Sequence, residues 1–127
     1  RAYRHLLLAQ VVALLGTGLA TVPLGLLAYD LAIGINAWCF EDDLSFNRDF
    51  SAALIAGYQS VRPLEQAEID ALPVLARGAA LRFLLTRTND WLNVPPGALV
   101  VPHDPKPFSA RLRHHMLVAG PEGYGVS

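Results

Sequence analysis

No charged residue stands between Leu6 and Ala28, and only Gln10, Thr17 and Thr21 are clearly polar in that run. At ~1.5 Å per residue a helix of this length crosses a ~30 Å hydrocarbon core, so the run predicts a transmembrane-like helix over residues 1–29. Arg1, Arg4 and His5 precede it and, by the positive-inside tendency, set the N-terminus on the cytoplasmic side. Gly16, Gly18, Gly25 and Pro23 would weaken a helix in water, whereas packed membrane helices use such residues for close approach. Two other readings are open. A signal peptide has a shorter apolar core and a cleavage site not evident here, and a buried helix of a soluble domain is the third case.

The rest of the chain is of another kind. Ten basic and eleven acidic residues give a formal net charge of -1, so no basic field draws the chain to nucleic acid. Cys39 is the one cysteine, which excludes an internal disulfide and a cysteine-cluster metal site and fits a reducing compartment; its neighbours Trp38 and Phe40 point to a core position.

From residue 30 onward the periodicity is helical. Asp30 is placed to cap a helix running to about Phe40, with Leu31, Ile35 and Trp38 on one face. After the polar EDDLSFN connection, Ser45 or Asn47 starts a helix whose stripe is Phe50, Leu54, Ile55 and Tyr58, and Arg62-Pro63 stops it. Glu65 and Glu68 open the next helix, with Ile69, Leu72, Leu75 and Ala76 inward. Pro73 predicts a kink or a division into Glu65–Leu72 and Val74–Trp91, the second piece turning Leu81, Leu84, Leu85 and Trp91 inward. The stretch VPPGALVVPHDPKP holds five prolines and reads as a loop. A last helix runs from about Pro107 to Leu117, and the tail over 119–127 is expected to fray. No strand signal follows residue 30.

Two resemblances accompany these patterns. RHLLLAQVVALLGTGLATVPLGLLAYDLA resembles the first membrane helix of a major facilitator superfamily transporter, yet no second apolar run follows. YDLAI, NAWCFE, AALIAGYQSVRPL, E-x-x-ALPVLARGAALRFLLTR, DW and HDPKPFSARLRHH, from about residue 28 to 115, resemble the C-terminal lobe of the homoserine kinase family with its protein-kinase-like, aminoglycoside-phosphotransferase-type fold.

That second resemblance implies ATP-dependent phosphorylation of L-homoserine in threonine biosynthesis, with ATP and Mg as cofactors and a cytoplasmic location. Phosphoryl transfer on such a fold needs a phosphate-covering loop, a strand lysine and metal-binding Asp and Asn residues. These 127 residues hold one lysine, Lys106, in a proline-rich loop, and no His-x-Asp motif followed by Asn. The expectation is therefore an all-α chain, with an apolar N-terminal helix and a helical lobe (30–118) of an incomplete kinase-like α+β fold. No catalytic residue is present, ATP and Mg are not expected to bind, and the isolated chain is expected to be inactive. The competing readings are a fragment of a membrane transporter, associated with the membrane through Leu6–Ala28, and an inactive product of fusion near Tyr29–Ala32.

Individual residues carry weaker implications. By the resemblance, Asp30 supports the catalytic loop of a complete enzyme, with a simple helix N-cap as the plainer role. Asn36 and Trp38 are the candidates for substrate binding, although a Trp so placed is more often core. Family members commonly have Asp where Ala37 stands. Glu41, Asp42 and Asp43 suit a cation on paper, but adjacent loop carboxylates are usually solvated. His103, His114 and His115 lack the spacing of metal ligands on a helix. Arg77, Arg82 and Arg87 are candidates for phosphate binding or for a solvated helix face.

Overall fold

The computed structural model describes residues 24–126. The expected membrane span and the transporter-like stretch lie, up to residue 23, outside the described residues. Four helices follow one another: α1 Leu24–Trp38, α2 Arg48–Val61, α3 Gln66–Leu92 and α4 Lys106–Leu117, before a 3₁₀ turn at Pro121–Tyr124. Among the described residues there is no strand, only an isolated antiparallel bridge between Phe40 and Phe46. None of these helices is long and apolar enough to cross a membrane.

α1 corrects the first expectation. Asp30 is not an N-cap; it lies inside a helix that begins at Leu24. Leu26, Leu27 and Ala28 are good helix formers with no breaker between them and Asp30, so the helix continues through the Tyr29–Ala32 junction. Its buried line is Ala28, Leu31, Ala32, Ile35 and Asn36, while Trp38 is only half-buried.

The connection to α2 is a tight loop. Glu41 and Ser45 bond through their backbones at 2.9 Å, and Asn47 N donates to the Cys39 carbonyl at 2.8 Å. Leu44 stands at the turn with φ +68°, a left-handed conformation that costs a branched side chain about 1 kcal/mol. Asn47 then caps α2 by accepting from Phe50 N at 2.8 Å, and Leu54, Ile55 and Tyr58 are buried, as the spacing predicts.

Between α2 and α3 the turn is closed by charge. Arg62 ends α2, and its guanidinium bonds Glu68 at 2.8 Å, while the other Glu68 oxygen accepts from Glu65 N at 2.9 Å. Glu68 thus satisfies a free amide at the start of α3 and neutralises an arginine, largely out of water.

α3 departs from expectation in two respects. It is continuous from Gln66 to Leu92 with Pro73 inside it, not divided there. The Pro73 ring is buried, and the Pro73 carbonyl accepts from Arg77 Nε at 3.2 Å, so packing outweighs the lost backbone bond. Its inward face is Leu72, Ala76, Ala79 and Ala80, whereas Leu81, Leu85 and Trp91 are 44%, 60% and 49% exposed. Small residues line this face because α3 packs most extensively against both α1 and α4.

Asp104 Oδ1 accepts from Lys106 N at 2.9 Å and opens α4, close to the predicted start. The tail folds back so that Tyr124 is fully buried, Arg48 donates to the Glu122 carbonyl through Nε and Nη2, and Gly125 turns at φ +86° against Ala52.

Candidate functional site

Two polar constructions stand out, one sealed and one open. The sealed one joins α1, α3, α4 and the tail. Asn36 Nδ2 donates to the Ala32 carbonyl and to the Ala76 carbonyl, each at 3.0 Å. With both amide hydrogens used, Asn36 Oδ1 is the acceptor facing His115 Nε2 at 3.1 Å, so that nitrogen carries the hydrogen. His115 Nδ1 is then the acceptor for the Tyr124 hydroxyl at 3.0 Å. Every member is buried.

Burial, and then the charges of His114, Arg111 and Arg77, push the His115 pKa down to about 3; burial likewise raises Tyr124 to about 12. Both groups are held neutral. The network is a polar strut through the core, and it takes up the side chain of Asn36.

The open construction is a cleft of about 630 Å³ lined by Ala37, Trp38, Glu41, Asp42, Arg87 and Arg111, among others. The end of α1 supplies Trp38, the following loop the two acids, α3 Arg87 and α4 Arg111. Of the two substrate-binding candidates the cleft contains Trp38 and not Asn36. Ala37 opens onto it as well, at the position where the resemblance leads one to expect Asp. Arg87 and Arg111 lie over one ring, with their Cζ atoms 4.5 and 4.6 Å from the Phe108 centroid. Arg111 also covers Phe40 at 5.4 Å. Nothing in the sequence pattern singled out Arg111, because what brings it beside Arg87 is the packing of α3 and α4 around Phe108.

Asp30 is half-buried on α1, and its carboxylate accepts no hydrogen bond among the described residues. The acidic run is used locally. Asp43 accepts from the Ser45 hydroxyl at 2.6 Å and the Ser45 amide at 2.9 Å, which lower its pKa, and Glu41 accepts from Asn47 Nδ2 at 2.6 Å. The three histidines are not gathered. His103 is on the exposed loop, His114 stacks on Phe46 at 4.4 Å, and His115 is in the strut. Among the described residues no three metal-binding side chains cluster. Arg77 and Arg82 do not line the cleft; Arg77 turns back to Pro73 and Arg82 lies over Phe83.

Among the described residues none is arranged as MgATP would require. Lys106 is exposed at the first turn of α4, Asp43 is engaged by Ser45, and no described carboxylates converge on a metal position.

Fold and site together define the class of an all-helical lobe with a mixed-charge cleft at one end. No family model matches the chain. Among curated proteins it is similar to the homoserine kinase of Methylobacterium radiotolerans, 63% identical over 98 residues, which are 77% of this chain and 30% of that protein. It is also similar to the homoserine kinases of Azorhizobium caulinodans, 61% identical over 102 residues (80% of this chain, 32% of that protein), and of Parvibaculum lavamentivorans, 63% over 99 residues (78% and 31%). The chain spans about a third of the length of the curated relatives it matches. These relatives support the homoserine kinase resemblance and lend nothing to the transporter one.

Proposed function

We propose that residues of about 28 to 115 form the C-terminal helical lobe of a homoserine kinase, an enzyme that moves the γ-phosphoryl group of ATP to the hydroxyl of L-homoserine in threonine biosynthesis, in the cytoplasm. The observation that carries this reading is identity above 60% to several homoserine kinases over a stretch of about 100 residues. In the whole enzyme Asp30 is a positioning residue. A half-buried carboxylate with no hydrogen-bond partner among the described residues, set within a helix, suits backbone amides of a catalytic loop, as the resemblance implies. Trp38 forms a wall of the acceptor side, and Asn36 acts behind it by fixing α1 to α3 and α4. ATP and Mg belong to the remaining parts of the enzyme, so the 127-residue chain alone neither holds MgATP nor phosphorylates homoserine.

A graft tests the reading. Residues 28–115 replace the matching third of the Methylobacterium radiotolerans enzyme, and homoserine-dependent ADP release is measured with the 127-residue chain in parallel. The graft is expected to be active and the chain alone silent. A folded but inactive graft would overturn the assignment, and turnover by the chain alone would overturn its division of labour.

A further inference from the structure

Two guanidiniums that line the open cleft, those of Arg87 and Arg111, both lie against the Phe108 ring, and neither forms an ion pair among the described residues. Arg87 donates one long bond, 3.4 Å, from Nη1 to the Asp104 carbonyl. Arg111 Nε is buried with no hydrogen-bond partner. Burial, then the charge of Arg87, lowers the Arg111 pKa from its ordinary value. Like charges brought together and partly desolvated without a counter-ion destabilise the fold, and a buried N–H left unmade adds to that cost. Stacking on Phe108 and Phe40 returns only part of it, because cation–π contacts contribute roughly 0.5–2 kcal/mol each.

We propose that Arg87 and Arg111 form an oxyanion-binding site, which takes the carboxylate or phosphoryl group of a small metabolite into the cleft beside Trp38. Guanidiniums bind such groups through paired N–H donors, and two of them neutralise one anion while satisfying the free Arg111 donor. Asp42 lines the same cleft, as does Glu41, which Asn47 already engages, so a molecule carrying a cationic group beside its anion fits the cleft better than a simple dianion. This assignment does not depend on phosphotransfer, and it concerns residues of this chain alone.

The test uses the Trp91→Phe form of the chain, in which Trp38 is the remaining tryptophan, and follows the Trp38 indole N–H by NMR. Inorganic phosphate, acetate and L-homoserine are titrated separately at constant ionic strength. A saturable shift with at least one probe is expected, weakened tenfold or more in Arg111→Gln and in Arg87→Gln and unchanged in Arg82→Gln, a control outside the cleft. Saturation by phosphate alone assigns a phosphoryl site, and saturation by acetate and homoserine alone a carboxylate site. No saturable shift with any probe overturns the proposal, as does a shift equal in all three variants. If Arg111→Gln loses its dispersed spectrum, Arg87→Gln decides. The graft assay and this titration fail independently, since one reads phosphotransfer in the longer enzyme and the other anion binding here.

Discussion

His115 Nε2 and Asn36 Oδ1 meet at 3.1 Å across 79 positions of sequence, in a part of the core with no access to water. The pair closes α4 onto α1 with a neutral imidazole. In the unfolded chain His115 takes a proton near its ordinary pKa of 6.5, but in the folded chain only near 3. Below 6.5 the unfolded state therefore binds more protons, so stability is intact above that pH, falls as pH drops from 6.5 to about 3, and levels off below. The full loss is at most roughly 5 kcal/mol, from ~1.4 kcal/mol per pKa unit. Denaturant midpoints measured across this range should fall with acidity in the wild type and fall less steeply in His115→Gln, the other titrating groups being common to both. Equal slopes would show that His115 is not held neutral.

Asn36→Leu removes a donor to the Ala76 carbonyl and the acceptor for His115 Nε2 at once. Stranding buried polar groups costs ~1–3 kcal/mol each, so a loss of roughly 2–5 kcal/mol in urea unfolding is expected. A loss under 1 kcal/mol would mean that the strut carries little of the fold's stability.

Gly125 turns at φ +86°, and a Cβ there would meet Ala52 Cβ at 2.5 Å. Gly125→Ala should lift the tail and expose Tyr124, at a cost of about 2 kcal/mol from left-handed strain and crowding. Faster hydrogen exchange at Tyr124 and at position 125 is the measurement, and unchanged exchange would show that the turn at Gly125 does not hold the tail in place.

Glu68→Gln keeps the shape of the α3 cap but leaves Arg62 without a carboxylate. A loss of about 1–2 kcal/mol is expected, shrinking in 1 M salt as screening weakens the wild-type pair. Salt-independent loss would point to the capping bond, not the charge.

What the sequence made legible was mostly what depends on neighbours in the chain. Asn47 as a cap, Arg62-Pro63 as a stop and the Leu54, Ile55, Tyr58 stripe are local physics, and each stands in the structure. Asp30 was misread because a capping residue signals a helix start only where no helix already precedes it. Pro73 was misread because its cost is local and its offset, a buried ring and an Arg77 bond, is tertiary. On α3, leucines outweigh alanines in any hydrophobic count, yet Ala79 and Ala80 are buried while Leu81 and Leu85 face water. The cleft was half-legible. Trp38 and Arg87 were singled out, but Arg111 becomes visible only when α3 and α4 are placed around Phe108, and Asn36 proves to belong to the core.

Asn36 reaches a carbonyl of its own helix and one of α3 with the same short amide, both at 3.0 Å. That amide is therefore a gauge of the spacing between α1 and α3, and Ala32 and Ala76, whose carbonyls it bonds, are both fully buried. Added volume at either alanine would act as a wedge, pulling the amide off its second carbonyl and slackening His115 behind it. The cleft at the end of α1 would then widen although no residue lining it had changed.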